Sequence, residues 1–252
     1  MPRNSVGLAF AYFQHWLRKE DLYSQQSPFI FSRYQDLIVY LKSPEFFYLK
    51  ATDFSASIFS CTTEKRTTGT EKLDSSLNPS PRNGWKPRKK AALLCSYFCQ
   101  TTAAKQVIEL GTGSGVVTRL LDQVTKGHLY TFAEGNSFNA KNSIYSNTTV
   151  IPEVTLAKFT AALQNLDALD FLVIHPECSQ TWLREIGSIC IPRMQATGIL
   201  ALEGIHQSEE MNAYWREVQN EDRVKLTLDF FDYGFLFFDY SGPKTNLILG
   251  YN

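Results

Sequence analysis

The segment Val107-Ile108-Glu109-Leu110-Gly111-Thr112-Gly113-Ser114-Gly115-Val116-Val117-Thr118 decides the fold of this chain. Its apolar residues around one acid predict a short buried strand, and the residues from Val116 onward predict a helix. The glycines between them predict a tight turn, because Gly111 and Gly113 can adopt positive φ and bring the backbone close to a ligand. A strand, a glycine turn and a helix N-terminus in this order are typical of a nucleotide-binding site.

A second acid supports this interpretation. The segment His128-Leu129-Tyr130-Thr131-Phe132-Ala133-Glu134-Gly135-Asn136 predicts another short strand, which ends at Glu134. In a doubly wound sheet the end of the second strand lies beside the first, so a carboxylate there can accept hydrogen bonds from both ribose hydroxyls. The glycine spacing is G-x-G-x-G rather than the G-x-G-x-x-G of dinucleotide-binding proteins, and Glu109 precedes the first glycine by two positions.

This combination resembles motif I of the class I S-adenosylmethionine (SAM) methyltransferases. The resemblance implies that SAM is the cofactor and that its methionine end lies against the glycine turn, with Glu109 organising the loop. It also implies that Glu134 binds the ribose and that Gly135 and Asn136 lie near the adenosine. The residues expected on the methionine side are Glu109, Gly111, Thr112, Gly113, Ser114 and Gly115.

The C-terminal part of the chain is similar to the small-molecule O-methyltransferases of the catechol O-methyltransferase type, and in particular to a bacterial branch of them. The shared features are an acidic strand end followed by Ile-His at residues 202–206, a Glu-rich helix from Ser208 and an aromatic hairpin at residues 229–238. The similarity runs from residue 91 to residue 251 and is weaker over the front of the chain. It implies a small-molecule acceptor with an oxygen nucleophile.

The positions that hold a metal in related enzymes differ here. Metal-dependent members carry an aspartate at the end of strand four and an Asp-Asp or Asp-Asn pair at the end of strand five. The matching positions are His175, Glu203 and Gly204. One carboxylate and one imidazole are a poor site for Mg²⁺, which prefers oxygen ligands. We therefore predict no metal site. The position near the adenine after strand three corresponds to Lys158 or its neighbours.

His175 and His206 are the candidate catalytic residues. Both follow the C-terminal ends of predicted strands, at the edge where α/β sheets bind ligands. Histidine near its reference pKa is suited to accepting a proton from a hydroxyl or amine, and Glu177 or Glu203 can orient either ring. The alternative is a neutral histidine that caps a helix or bonds to the backbone.

The rest of the chain alternates strands and helices. Strands are predicted at residues 154–159, 170–175, 198–203, 224–230 and 245–251, and helices at residues 91–100, 139–145, 181–191 and 208–219. The aromatic residues from Phe230 to Tyr240 are expected to pack the sheet rather than to line an acceptor pocket. The predicted fold is α/β: a Rossmann-like sheet of the class I methyltransferase type, mostly parallel, with an antiparallel C-terminal hairpin.

The front of the chain predicts a helical extension. Val6, Phe10, Phe13 and Leu17 recur at helical spacing, and a second helix follows Ser27-Pro28, with its apolar face at Ile30, Tyr34, Leu37 and Leu41. These helices are expected either to cover the core or to form an oligomer interface, such as that of a homodimer. We predict a helical cover at 1–60, a flexible basic loop at 61–90 and a SAM-binding domain at 91–252. The basic loop is either solvated or a patch for phosphate or nucleic acid.

Composition limits the classes of partner. Lys plus Arg and Asp plus Glu number 25 each, so no overall field attracts nucleic acid or an anionic membrane. No apolar run approaches the roughly 18 residues that span a bilayer. The five cysteines form no C-x-x-C pair and are typical of reduced thiols, which predicts a cytoplasmic protein.

Two other functions stay open beside a SAM-dependent small-molecule methyltransferase. The first is a non-catalytic relative that has lost activity and serves as a protein-interaction subunit. It is motivated by the altered metal positions and the divergent front. The second is an RNA methyltransferase that uses the basic loop, against which the neutral overall charge argues.

Overall fold

A central eight-stranded sheet organises the chain. The computed structural model describes residues 5–21, 27–42, 89–113, 115–133, 146–152, 155–164, 166, 168–175 and 180–250. The sheet has the strand order β3-β2-β1-β4-β5-β7-β6-β8. Its strands are β1 (Gln106–Leu110), β2 (His128–Ala133), β3 (Thr148–Pro152), β4 (Leu169–Ile174), β5 (Met194–Glu203), β6 (Leu226–Asp229), β7 (Tyr233–Phe237) and β8 (Thr245–Ile248).

Strand β7 is the one that reverses direction. The strands β3, β2, β1, β4 and β5 pair in parallel. Strand β7 pairs antiparallel with both β5 and β6, whereas β6 and β8 are parallel to each other. The C-terminal ends of β1, β4, β5 and β6 therefore lie at one edge of the sheet. This arrangement confirms the predicted Rossmann-like sheet with its antiparallel C-terminal hairpin.

Helices cover both faces of the sheet. They are α1 (Ser5–Arg18), α2 (Pro28–Lys42), α3 (Lys89–Thr101), α4 (Val116–Val124), α5 (Leu156–Gln164), α6 (Gln180–Cys190) and α7 (Glu209–Gln219). Val107 packs in a core with residues of α2, α3 and α4. Its neighbour Ile108 packs on the opposite face with residues of α5, α6 and α7. The sheet is thus buried on both sides, as the apolar strands predict.

The third strand lies earlier than predicted. Residues 154–159 were expected to form it, but β3 is Thr148–Pro152, and Leu156–Gln164 is the helix α5. The apolar residues Leu156, Phe159 and Leu163 are spaced for a helix, and the last two are buried. Lys158 therefore lies within α5, with its Nζ donating to the Pro152 carbonyl at 3.0 Å. The helix predicted at 139–145 lies outside the described residues.

The apolar face of α1 points away from the sheet. Val6, Phe10, Phe13 and Leu17 are exposed, whereas Ala11 and His15 are buried. Of the two alternatives for this face, the structure therefore does not show the one in which it covers the core. The face of α2 is buried as predicted, with Ile30, Tyr34, Leu37 and Leu41 in the core. In the described part of the chain, no helix is long and apolar enough to cross a membrane.

Candidate functional site

The glycine turn joins β1 to α4. Gly111, Gly113 and Gly115 have φ values of +89°, +51° and +75°, a region that favours glycine. The Gly111 and Thr112 amides both donate to the Phe132 carbonyl, at 3.0 and 3.1 Å, which ties the turn to the end of β2.

The helix α4 begins at this turn without a side-chain cap. Gly115 is its N-cap residue and supplies no side chain to bond the first-turn amides. A β-carbon on Gly113 would meet nothing within 4 Å, so the turn is open at this point. Free amides at a helix N-terminus, next to an open glycine, form a site for an anionic group.

Glu109 is the buried acid on β1 that supports the turn. Its side chain is fully buried, and its Oε2 accepts hydrogen bonds from the hydroxyls of Thr118 and Thr131, both at 2.6 Å. Its Oε1 lies 3.2 Å from Nε2 of His175. The carboxylate thus joins β1, β2 and α4. This agrees with a loop-organising role rather than with direct contact to a ligand.

His175 follows β4 and lies between two carboxylates. Its Nδ1 bonds to Glu203 at the end of β5, and its Nε2 bonds to Glu109. Burial opposes a charge on the ring, but Glu203 and Glu109 outweigh it and raise the pKa of His175 to about 10. Its backbone amide donates to the Leu110 carbonyl at 3.0 Å. His175 is therefore an imidazolium that links the ends of β1, β4 and β5.

This geometry gives no support to His175 as a general base. Both ring nitrogens already face carboxylates, and the ring is protonated at neutral pH. Of the two carboxylates predicted to orient a histidine ring, Glu203 bonds to His175. Glu177, the other candidate orienting group, lies outside the described residues. A β-carbon on Gly111 would come within 3.1 Å of the His175 Cβ, so the ring and the turn also pack against each other.

His206 belongs to a different cluster. Its Nε2 lies 2.8 Å from Oδ2 of Asp229, and the amide nitrogen of Asn212 donates to its Nδ1 at 3.0 Å. The other carboxylate oxygen of Asp229 lies 3.2 Å from Nε2 of His15, a residue of α1. The neighbouring imidazoles hold the pKa of the buried Asp229 at about 2, against the opposing effect of burial.

The two predicted histidines do not form one site. His175 bonds to residues of β1 and β5, whereas His206 bonds to the end of β6, which is two positions from β5 in the sheet order. With strands about 4.8 Å apart, the two clusters are separated by roughly 10 Å. A base pair made of both histidines is not what the fold brings together.

The aromatic hairpin packs the sheet, as expected. Phe230, Tyr233 and Phe235 are buried in the core with Phe98 of α3. Burial raises the pKa of Tyr233 well above its usual value, with the Cys95 thiol and Glu203 nearby.

The structure brings Glu109, Gly111, Thr112, Gly113 and Gly115 together at one turn. Ser114, Glu134, Gly135 and Asn136 lie outside the described residues, so their assignment to SAM stays a prediction. Sequence reasoning missed His15, Thr118, Thr131 and Asp229. Asp229 ends a strand and was open to the same argument as Glu203. His15 carries no local signal, because only the folded position of α1 brings it to Asp229.

Comparison with known proteins gives a likeness of fold. No family model and no curated protein matches the chain. A protein from Corynebacterium glutamicum has a TM-score of 0.53 at 9% identity, over 83% of this chain and 98% of its own. This likeness covers most of both chains and supports the Rossmann-like architecture.

Two further solved structures are O-methyltransferases. TomG from Streptomyces achromogenes, involved in tomaymycin synthesis and solved with SAM, has a TM-score of 0.49 at 9% identity, over 61% of this chain and 81% of its own. An enzyme from Bacillus cereus, solved with S-adenosylhomocysteine (SAH), has a TM-score of 0.47 at 12% identity, over 57% and 78%.

Proposed function

We propose that this chain is a SAM-dependent methyltransferase that acts on a small-molecule acceptor through an oxygen nucleophile. The observation that carries the proposal is the turn from Gly111 to Gly115. It lies at the C-terminal end of β1, has positive φ at its three glycines and opens an uncapped helix. The choice of SAM and of an oxygen acceptor rests on the resemblance of motif I and of the C-terminal segments.

The residues at the turn fit the methionine end of SAM. The free first-turn amides of α4 are donors for its carboxylate, and Gly113 leaves room for the backbone to approach the ligand. Glu109 and His175 hold this surface in place. Ser114 belongs to the same turn in sequence, and Glu134, Gly135 and Asn136 are proposed to bind the ribose and adenosine.

When bound, SAM supplies a methyl group activated by its sulfonium. The contribution of this chain is alignment. The turn and α4 hold the donor, and the edge of the sheet where β1, β4 and β5 end holds the acceptor oxygen in line with the methyl carbon. Because both nitrogens of His175 are engaged, we assign it a positioning role. Water is a sufficient proton acceptor for an acidic hydroxyl.

We propose that Mg²⁺ has no part in the reaction. At the two strand ends that carry the metal ligands of related enzymes, this chain places His175 and Glu203, which are bonded to each other. The imidazolium of His175 lies at the position that matches the metal site of related enzymes, and its positive charge repels a metal cation. A hard divalent ion also prefers a set of oxygen ligands.

We also propose that the chain is a homodimer formed through α1. The exposed residues Val6, Phe10, Phe13, Trp16 and Leu17 leave between 49% and 74% of each residue in water. Exposed apolar residues in one continuous stripe mark an interaction surface. A stripe on a single helix is self-complementary under two-fold symmetry, which is the commonest arrangement of homo-oligomers.

The cytoplasm is the compartment that we propose. Cys95, Cys99 and Cys190 are free and buried, and burial raises the pKa of the Cys190 thiol to about 12. Unreactive free thiols are typical of reducing compartments.

Two substitutions at Gly113 test the cofactor site. Both Gly113→Asn and Gly113→Val place a side chain in open space, but Asn tolerates positive φ and Val does not. We expect both variants to bind SAM at least about tenfold more weakly than the wild type, because each fills the space through which the ligand approaches the turn, and we expect Val to lose more than Asn because left-handed backbone also strains it. Calorimetric titration measures both affinities. Wild-type affinity in both variants would remove the turn from the site.

Glu134→Ala tests the ribose contact. We expect it to weaken SAM binding by roughly 1–3 kcal/mol, the scale for losing a buried hydrogen-bonding partner. The surface change Lys126→Gln, before the other end of β2, serves as a control. Unchanged affinity in Glu134→Ala would mean that this acid does not bind the cofactor.

A further inference from the structure

A polar recess lies between α1, α7 and the ends of β6 and β8, away from the glycine turn. Its lining comes from one face of α1, from α7 and from the strand ends. The residues are Ala11, Gln14, His15, Arg18, His206, Asn212, Arg216, Asp229 and Ile248. The cavity volume is about 80 Å³. One molecule of liquid water takes up roughly 30 Å³. The recess therefore has room for a small polar group.

Helix geometry explains how the polar groups converge. Ala11, Gln14, His15 and Arg18 are spaced at three and four residues, so they share one face of α1. Ala11 and His15 are buried toward the sheet, whereas Gln14 and Arg18 are exposed at the margin of the recess. Asn212 and Arg216 are four residues apart on α7 and face it from the other side. The polar residues on this side of α1 therefore line the recess.

The floor of the recess is rigid. Asp229 Oδ1 accepts from the Phe231 amide at 2.8 Å and from His15, and Oδ2 accepts from His206. The ring of Phe231 stacks on His206 with centroids 5.1 Å apart, and its backbone has a φ of +71°. Positive φ at a bulky residue is strained, and such strain is concentrated at functional sites.

The charge of the recess favours an anion. Both carboxylate oxygens of Asp229 already accept hydrogen bonds, from the Phe231 amide and from the two histidines. Across the described residues, neither Arg18 nor Arg216 forms an ion pair with a carboxylate. Among the lining residues, two guanidinium groups against one carboxylate leave a net positive charge. Guanidinium groups bind carboxylate and phosphate oxygens well.

We propose that this recess binds the oxyanion group of a small molecule, with Arg18 and Arg216 as its donors. Strand β6 lies three positions from β4 in the sheet order, or roughly 14 Å at 4.8 Å a strand. The histidines here are thus too far from the end of β4 to take a proton from a nucleophile reacting there. On the proposed methyltransferase function, the ligand is the acceptor, which is then an elongated molecule with an anionic end.

The experiment uses inorganic phosphate and acetate as probes in two separate titrations of the full chain at constant ionic strength, without cofactor. Imidazole proton resonances report binding, with His15 and His206 assigned from His15→Gln and His206→Gln, and with His128 on β2 as an internal reference. We expect a saturable shift of His15 and His206 and none of His128. A response to phosphate alone points to a phosphate ester, and a response to both probes points to a carboxylate or phosphate.

Arginine variants complete the test. Arg18→Gln and Arg216→Gln are each expected to weaken probe binding about tenfold, because each removes a charge-assisted hydrogen bond. Arg184→Gln, which removes an arginine paired with Glu217 on the surface, is expected to leave it unchanged. No saturable shift with either probe, or equal loss in all three variants, would overturn the proposal. Titration of the same variants with SAM tests the proposed function independently. Absence of SAM binding would contradict that function without changing the result of the probe titrations.

Discussion

At the residue scale, His175 connects the turn to the rest of the sheet. It lies at the end of β4, between the carboxylates of Glu109 on β1 and Glu203 on β5. Glu109 in turn holds Thr118 of α4 and Thr131 of β2. One imidazolium therefore stabilises the arrangement of five elements around the proposed cofactor site.

Replacing His175 is expected to destabilise the protein strongly. His175→Gln removes the cation and leaves Glu109 and Glu203 as buried carboxylates, which costs about 3–5 kcal/mol. The matched control is His128→Gln, since the His128 ring bonds to Thr149 at an exposed site, away from any carboxylate pair of the described residues. Urea denaturation measures both variants. Equal stability of the two would show that the buried pairs contribute nothing.

The same residue predicts a pH dependence of stability. The folded pKa of His175 is about 10, and the unfolded value is about 6.5. Its stabilising effect is therefore complete below about pH 6.5 and is lost as the pH rises toward 10. We expect the free energy of unfolding to fall over this window in the wild type, and to fall less in His175→Gln. Parallel curves for the two proteins would contradict this account.

The sequence predicted these residues but not their bonds. Glu109 and His175 each follow from strand ends and the rule that ligands bind there. Their contact depends on β4 lying next to β1, with Leu110 opposite Ile174. That pairing joins segments more than sixty residues apart, and no local pattern specifies it. For the same reason the charge of His175 could not be predicted, because it arises from two carboxylates brought together by folding.

At the element scale, α7 shows where local signals are sufficient. Its start was predicted at Ser208, and the Ser208 hydroxyl accepts a hydrogen bond from the Met211 amide at 3.0 Å. Glu209 and Glu210 in the first turn favour the same start. Strand β3 shows the opposite case: at the sheet edge its residues are only partly buried, so its pattern is weak.

Removing the cap of α7 is expected to cost about 1 kcal/mol, the usual effect of replacing an N-cap serine by alanine. Ser208→Ala tests this by chemical denaturation. Ser188→Ala is the matched control, since that serine is exposed on α6 and bonds only to the Glu185 carbonyl. Because α7 carries Asn212 and Arg216, a cost no greater than the control's would mean that the cap does not fix this helix.

At the scale of the whole molecule, the orientation of α1 is what the sequence pattern left open. Spacing allowed the stripe containing Phe10 and Phe13 either to cover the core or to form an oligomer interface, and the structure buries the opposite face through His15. A periodic pattern identifies an apolar face without specifying whether the same chain or a second copy covers it. The polar partner Asp229, more than two hundred residues away, decides the orientation.

The dimer proposal predicts a change of mass in solution. Wild-type protein is expected to sediment as a dimer at micromolar concentration, and Phe10→Glu with Phe13→Glu is expected to sediment as a monomer, because charge at the centre of an apolar interface opposes association. Val39→Glu, at an exposed apolar residue of α2, is the control and should stay dimeric. A monomeric wild type would contradict the proposal.

The central claim is that the glycine turn belongs to a metal-independent SAM site. Calorimetric titration of the wild-type protein with SAM and with SAH, in the presence of Mg²⁺ and again with a chelator, tests it most directly. The account predicts micromolar binding of one molecule of either ligand per chain, with the same affinity in both buffers. Absence of binding by both ligands would contradict the methyltransferase and favour a non-catalytic interaction subunit, and binding that requires Mg²⁺ would contradict the role given to His175.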